Sequence, residues 1–348
     1  MSAFPSAASV PASSPVESGV LRSRGVRRTV DGLVGVVLAG CGIFSILTTF
    51  AIIAVLLEES RRFFASPEVS ASEFFFSGRW SPLLGAEKHF GIWPLICGTG
   101  LVAGVSACLA LPLGLVTAIY LSEYAPRPLR AFLKPVLELL AGIPTVVYGF
   151  FALTVITPAL KAAHEITLKP LAATLDTLPS WLAPDGLVAF IGRGIDSYNA
   201  LSAGLAVGIM TLPIVCSLSE DALQAVPRSL REGAFACGAT KFDVSAKVVV
   251  PAALSGIIAS YLLAIARAIG ETMIVALAAG GLAQLTADPR NQVQTMTGYI
   301  VQVFTGDTTA HGIEYKSSYA VAGMLFLLTF IVTLIGYQIM RRYREAYE

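Results

Sequence analysis

Long apolar runs constrain the fold of this chain more than any other feature of its sequence. The runs lie at 30–57, 92–120, 136–160, 200–218, 252–279 and 318–340. About 20 apolar residues in a helix cross a hydrocarbon core roughly 30 Å thick. Because lipid cannot satisfy backbone polar groups, such spans must be helices or closed barrels, and continuous runs fit helices. The sequence therefore predicts an all-α, polytopic membrane protein with six transmembrane helices.

Composition agrees with this class. Apolar residues make up 55% of the 348 residues and charged residues 14%, and the mean hydropathy is +0.72. A soluble domain carries about 25% charged residues. The first run begins too late and is too long for a cleaved signal peptide, so 30–57 is predicted to be an uncleaved first helix. Residues 1–29 are predicted to be a partly disordered tail, because 1–20 are rich in Ser, Ala and Pro.

Basic residues predict the orientation of the chain. Of the 24 Lys and Arg residues, 14 lie in alternate connections that include the N-terminal tail, the loop 219–251 and the C-terminal tail 341–348. Cytoplasmic segments carry the excess of positive charge, so both termini are predicted to be cytoplasmic. Segments 58–91 and 161–198 are then external loops.

Several function classes lack their sequence signals. No G-x-x-x-x-G-K-[ST] phosphate loop occurs, and the three His residues show no H-E-x-x-H spacing. The five Cys residues form no recognisable disulfide or metal pattern. A net charge of +1 gives no indication of a nucleic-acid partner. We therefore expect no cofactor in this chain, and any ATP that drives it must bind to another subunit.

The loop 232–251 is polar and basic between two apolar runs. Ser229 and Glu232 form a capping-box pattern, and Thr240 begins a second one. Gly238 can supply the left-handed residue that ends a helix. The loop is therefore predicted to be two short helices that meet at Gly238, the second of them reaching Pro251.

Two charges fall inside the fifth apolar run. Arg267 and Glu271 are four residues apart, so in a continuous helix they share a face near the middle of the bilayer. Each charge costs about 2.5–3.5 kcal/mol there and must face the protein interior or a water path. Two interpretations remain open: an ion pair that fixes packing, or a site for a transported anion.

The loop resembles the EAA loop of ABC importer permeases, the cytoplasmic surface on which a separate ATPase docks. Five residues match that pattern in register: Glu232, Gly233, Ala234, Gly238 and Pro251. The loop departs from the commonest form in Gly233 and in the three valines at 248–250. The resemblance implies a type I ABC importer permease fold across 92–340, with 219–251 as the coupling loop.

Four further segments narrow the resemblance: LSEYA at 121–125, ELLAGIPTVVYG at 138–149, AVPRSLRE at 225–232 and RAIGETM at 267–273. Together they are similar to permeases of the bacterial phosphate importer, and more to the PstC type than to the PstA type. This implies a PstA-like second permease, a PstB-like ATPase dimer that binds the ATP, and an external PstS-like binding protein. It also implies a place in the inner membrane, with Arg267 and Glu271 on the anion path.

Other functions remain open at this point. The chain could serve an ABC importer for another oxyanion or a small solute, because the docking loop does not specify the cargo. A secondary transporter or channel that works without ATP would transport with no ATPase present. A membrane enzyme is disfavoured, because no nucleophile, metal or paired-acid constellation appears in the sequence.

Overall fold

A computed structural model describes residues 17–83, 88–176, 185–306 and 312–342. In chain order the helices are α1 (Glu17–Phe64), α2 (Ala71–Phe76), α3 (Trp93–Ile119), α4 (Arg127–Ala141), α5 (Thr145–Phe151), α6 (Thr157–Ala163), α7 (Lys169–Leu175), α8 (Asp185–Gly192), α9 (Ala200–Ala225), α10 (Arg228–Ala236), α11 (Lys241–Val244), α12 (Val250–Ala252), α13 (Leu254–Ile269), α14 (Met273–Ala278), α15 (Met296–Thr305) and α16 (Ile313–Arg342). π-Helical turns lie at Tyr120–Tyr124, Ala152–Ile156, His164–Leu168 and Ser245–Val249. The short strands β1 (Trp80–Ser81) and β2 (His89–Phe90) pair antiparallel.

Five helical stretches of the described residues are long and apolar enough to cross a membrane: Gly32–Phe64, Trp93–Tyr124, Thr145–Leu175, Ala200–Ala225 and Ile313–Arg342. A sixth is formed if Lys241–Ala252 and Leu254–Ile269, which meet at 69°, count as one bent span. The predicted all-α membrane fold is confirmed.

The boundaries of several predicted elements are wrong. Helix α1 extends to Phe64, so the first part of the predicted external loop 58–91 is helical. The third span begins at Thr145 instead of 136 and continues to Leu175, into the predicted loop 161–198. Helix α9 ends at Ala225, so 219–225 are not loop. Hydropathy misplaced the ends at 64, 175 and 225 because charged residues also continue a helix beyond its apolar part. It misplaced the start at 145 because the largely apolar residues 136–141 belong to the separate helix α4.

Contacts divide the chain into two units, Met1–Leu57 and Glu58–Glu348. In the first unit, apolar side chains from Leu33 to Leu57 are largely exposed, as suits a helix in lipid. The helix begins at Glu17, within the tail predicted for 1–29. The predicted disorder of residues 1–16 lies outside the described residues.

The predicted continuous helix 252–279 is wrong. Helix α13 ends at Ile269, Gly270 caps it, and the chain restarts as α14 at Met273. The Thr297 hydroxyl donates to the backbone carbonyl of Glu271 at 2.7 Å, which satisfies a group that a helix would otherwise pair. Residues 279–295 then follow an irregular path before α15. The break therefore depends on a contact 26 residues away in the sequence.

Helices α3 and α9 pack side by side in parallel at the centre of the second unit. Gly204 and Gly208 lie on the face of α9 towards α3, and a Cβ at either position would meet Val105 or Leu109 closer than 3.0 Å. Small residues four apart allow helix backbones to approach closely in membranes. Together with parts of α5, α13 and α14, this pair forms the main apolar core.

Smaller apolar clusters mark the two ends of the second unit. At one end, residues 226–253 pack through Val244 and Val249 against Leu121 and Leu223. We name residues 226–253 the hairpin, and this end the hairpin end. At the other, the far end, Phe63, Phe74, Trp80, Phe90 and Tyr299 form an aromatic cluster. Each end of the second unit therefore has its own cluster of buried apolar side chains.

Candidate functional site

The hairpin turns at Gly238, as the sequence predicts. Gly238 has a φ of +83°, which favours glycine. Its amide donates to the Phe235 carbonyl at 2.9 Å, and the Ala239 amide donates to the Ala234 carbonyl at 3.2 Å. These two bonds form a Schellman motif, which ends α10 and fixes the direction of the following chain.

One of the two predicted caps is present. The Thr240 hydroxyl accepts from the Asp243 amide at 3.2 Å and so caps α11. The predicted capping box at Ser229 is wrong, because α10 begins two residues earlier than that box requires and takes Pro227 as its N-cap, without a side-chain bond. The Glu232 carboxylate is therefore not used in a cap, and it is exposed.

Arg231 anchors the hairpin to the membrane helices. Its guanidinium donates to the carbonyls of Leu223 at 2.7 Å and Val226 at 2.6 Å, at the C-terminal end of α9. It also pairs with Glu123 at 3.1 Å, in the π-turn that follows α3. Cations are favoured at helix C-termini, where carbonyls lack partners. One side chain thus joins α10 to the ends of both central helices.

The outward surface of the hairpin carries exposed aromatic side chains. Phe242 is 69% exposed and Phe235 is 46% exposed. Gly233, Gly238 and Pro251 are also exposed, whereas Ala234 is partly buried against the bundle. Large exposed apolar side chains on a rigid polar element are typical of a surface that binds another protein.

A buried acid reinforces the same end. Glu220 of α9 is 1% exposed and pairs with Arg130 at 2.6 Å and Lys134 at 3.6 Å, both from α4. Gln224 donates to it at 2.8 Å, and Lys134 also pairs with Asp221 at 2.9 Å. The hydrogen bond to the Asp221 carboxylate raises the pKa of Lys134. Burial lowers this pKa, but by less. These pairs hold α4 against α9.

Arg267 lies in the last turn of α13, and its side chain is exposed. Among the described residues, no carboxylate lies within 4.0 Å of its guanidinium, and its one polar contact is the Met210 sulfur at 4.0 Å. A guanidinium offers five donors in a planar fork that matches oxyanions. Its donors are therefore available to an anion.

Glu271 lies close in sequence but has a different role. It is 7% exposed, and one of its carboxylate oxygens is 3.5 Å from the Ile274 amide in the first turn of α14. It lies in the break after Gly270, so the predicted shared helix face is wrong. The ion pair between Glu271 and Arg267, one of the two interpretations of the sequence, does not form.

Comparison with known protein families decides the class. The model of the family described as "Binding-protein-dependent transport system inner membrane component" matches residues 110–345. The chain belongs to this family. It is a multi-pass inner-membrane permease subunit of a transporter, and the matched range contains the hairpin, Arg267 and Glu271.

Relatives of this permease extend over most of its length. A "Probable ABC transporter permease protein YqgH" of Bacillus subtilis is 31% identical over 317 residues, 90% of this chain and 93% of the relative. A "Phosphate transport system permease protein PstC" of Mesorhizobium japonicum is 34% identical over 271 residues, 77% of this chain and 78% of the relative.

Solved structures confirm the fold of the permease. A bacterial alginate ABC transporter, solved in complex with an alginate-bound periplasmic protein, superimposes with a TM-score of 0.56 at 13% identity. The match covers 90% of this chain and 96% of that chain. The predicted type I ABC importer permease fold is therefore confirmed.

Sequence reasoning missed two functional features of this permease. A count of loop charges treats Arg231 as one basic residue among many, although a basic residue just after an apolar helix is a candidate for capping that helix. Glu220 was not identified, although an acid in an otherwise apolar helix must find a partner when buried. The carboxylate that pairs with Arg231 and the basic residues that pair with Glu220 lie in distant parts of the chain, so no local sequence pattern identifies these ion pairs.

Proposed function

We propose that this permease is the PstC-type subunit of an ATP-driven importer of inorganic phosphate. The names of the phosphate transport relatives support this cargo. The observation that carries the proposal is Arg267, whose guanidinium has no carboxylate partner among the described residues. A cation inside a membrane span without an internal partner is suited to a transient anionic ligand.

The hairpin supports a separate ATPase as the motor. A PstB-like ATPase dimer docks on the exposed surface around Glu232, Gly233, Phe235 and Phe242 and supplies all of the ATP binding, so this chain carries no cofactor. Both termini and the hairpin end then face the cytoplasm. A PstA-like second permease completes the membrane pathway, and a PstS-like binding protein delivers phosphate at the far end.

The anchoring of the hairpin suggests how ATP hydrolysis drives transport. Closure of the ATPase dimer moves the hairpin as a rigid body, because Arg231 holds it to the ends of α3 and α9. Alternating access follows when these helices tilt in both permeases. Arg267 contacts the phosphate in transit, whereas Glu271 fixes the start of α14 and so the shape of the break beside it.

Isolation of the partners tests this proposal. The tagged chain should co-purify from its native membrane with an ATPase and a second permease. In a strain lacking the chain, its expression should restore uptake of radiolabelled phosphate, and excess sulfate should not compete. Uptake that persists without the ATPase would indicate a secondary transporter. Equal competition by sulfate would indicate a general oxyanion importer, since a guanidinium alone does not distinguish oxyanions.

A further inference from the structure

Two cavities with glutamine side chains in their walls adjoin each other at the far end of the second unit. Their volumes are about 460 and 450 Å³, and they share Gly281, Gln294 and Gln302 in their walls. We name them together the glutamine chamber. No Asp or Glu among the described residues lines either cavity. The described residues that line the two cavities therefore carry no negative charge of their own.

Hydrogen-bond donors line the chamber instead. Gln302 is exposed, and Gln294, which donates to the Gln302 side-chain oxygen at 2.5 Å, is buried beside it. Arg79 also lines the chamber, is exposed, and pairs with no described carboxylate.

The wall of the chamber is built and held in place. The Gln292 amide donates to Asp196 at 3.0 Å, and the Gln292 carbonyl accepts from Gln284 at 2.7 Å. Gly280 has a φ of +96°, and any Cβ there would overlap the Gln292 side chain. Irregular backbone within a membrane protein persists where it is buried in protein or lines a watery cavity. The segment 279–295 satisfies this condition.

The chamber follows directly on the break beside Arg267. Ala276 and Leu277 of α14 line it. In the first turn of the same helix, the Ile274 amide lies 3.5 Å from a carboxylate oxygen of Glu271. Transporter sites commonly lie at discontinuous helices of this kind. The chamber therefore adjoins α14, the helix that begins directly after the break that follows Arg267.

We propose that the glutamine chamber is a reception site for a protonated oxyanion, occupied before the ion reaches Arg267. This inference rests on the proposed function and adds a second site to it. Amide N–H groups and Arg79 donate to the oxygens of hydrogen phosphate. Amide oxygens of glutamine accept its O–H protons, which sulfate lacks at neutral pH. Sulfate would leave these acceptors without a donor from the ion, so the chamber favours an ion that carries a proton.

Added negative charge tests the proposal. Gln302→Glu keeps the size of the side chain but places a carboxylate in the shared wall. Gly281→Asp does the same from an adjacent position in the wall, and it should fold, since an added Cβ would meet only the Gln302 oxygen at 3.9 Å. Each should raise the KM of phosphate uptake by the complete complex at least tenfold, by repulsion. Gln338→Glu, an exposed residue on α16 outside both cavities, is the matched control.

The outcomes separate this inference from the proposed function. Tenfold higher KM in both acidic variants, with the control at the wild-type value, supports the chamber as a reception site. A wild-type KM in either acidic variant that is present in the membrane at the wild-type amount overturns it, while the phosphate importer itself still stands. If the wild-type complex transports no phosphate, the proposed function fails, and the inference fails with it.

Discussion

Arg267 carries a charge into the membrane-spanning part of the bundle, and no counterion for it lies among the described residues. Its position costs about 2.5–3.5 kcal/mol on insertion scales. The neighbouring acid does not offset this cost, because the Glu271 carboxylate lies beside the first turn of α14. A charge that is costly to bury in the membrane and has no described carboxylate partner is suited to a ligand, so its loss should affect transport more than folding.

Substitution of Arg267 separates these two effects. Arg267→Ala should lower kcat/KM for phosphate uptake at least 100-fold, and Arg267→Lys at least tenfold, because an ammonium cannot form the bidentate contact. The unfolding temperature of the purified complex should stay within about 2 °C of wild type, since no ion pair is lost. A large fall in unfolding temperature with normal uptake would show that Arg267 serves packing.

Asp288 gives a pH-dependent contribution at the far end. The adjacent Arg290 guanidinium, bonded at 2.8 to 3.2 Å, lowers the pKa of the Asp288 carboxyl. A lowered pKa in the folded state means that the stabilisation is present above the unfolded value of about 3.9 and is lost as pH falls through the folded value. Arg290 also donates to the Arg193 carbonyl, so the pair holds two segments together.

The unfolding temperature should therefore fall between pH 6 and pH 3, and fall less in Asp288→Asn, which has no proton to gain. At pH 6 the variant should unfold at a lower temperature than wild type, because Arg290 is then largely buried without its carboxylate. Parallel pH profiles for the two proteins would refute the role of this pair.

At the level of elements, the hairpin shows how far local sequence rules reach. The glycine corner at Gly238 and the cap at Thr240 were predictable, because both depend on residues within six positions. The helix break at 270–272 was not, because it depends on the distant Thr297. Hydropathy reports that a segment is apolar but cannot show where its backbone finds partners outside a helix.

Two glycines of the hairpin form a matched pair for testing the corner. Gly238→Ala forces a side chain into a left-handed conformation and should destabilise the hairpin by about 1–2 kcal/mol. Gly233→Ala lies within α10, where an added Cβ meets nothing within 4 Å, and should stabilise the helix by up to about 1 kcal/mol. Hydrogen exchange of the α10 amides measures both.

Exchange should become faster in Gly238→Ala and slower in Gly233→Ala. Equal effects in the two variants would mean that the left-handed corner does not determine the stability of this element. Both variants lie in the same hairpin, so a change elsewhere in the protein would alter the exchange of the α10 amides in the same direction in both.

For the whole molecule, composition and apolar runs were sufficient to predict the class. The ion pairs that join its elements were not predictable, because Glu220 and Arg130 lie in different helices and Arg231 reaches back to Glu123. Such contacts depend on the packing of α3, α4 and α9, which follows from glycine faces and cannot be read from hydropathy. The pair of Glu220 with Arg130 joins α9 to α4, and the pair of Arg231 with Glu123 joins the hairpin to the end of α3.

Loss of the Arg231 anchor should uncouple the transporter. In Arg231→Ala the hairpin can still meet the ATPase through its exposed face, but it no longer holds the ends of α3 and α9. ATP hydrolysis should continue while phosphate transported per ATP falls at least fivefold. Exposed Arg228, which lies three residues earlier and forms no ion pair with a described carboxylate, is the control position. An unchanged ratio in Arg231→Ala would contradict transmission through this anchor.

The account as a whole depends on ATP-driven movement of phosphate through this permease. The direct measurement is uptake of radiolabelled phosphate into vesicles that contain the purified complex, with ATP on the hairpin side and the binding protein on the other. The account predicts uptake that requires ATP and the ATPase subunit and that is lost in Arg267→Ala. Phosphate uptake that proceeds equally without ATP, or ATP-driven uptake that excludes phosphate, would contradict it.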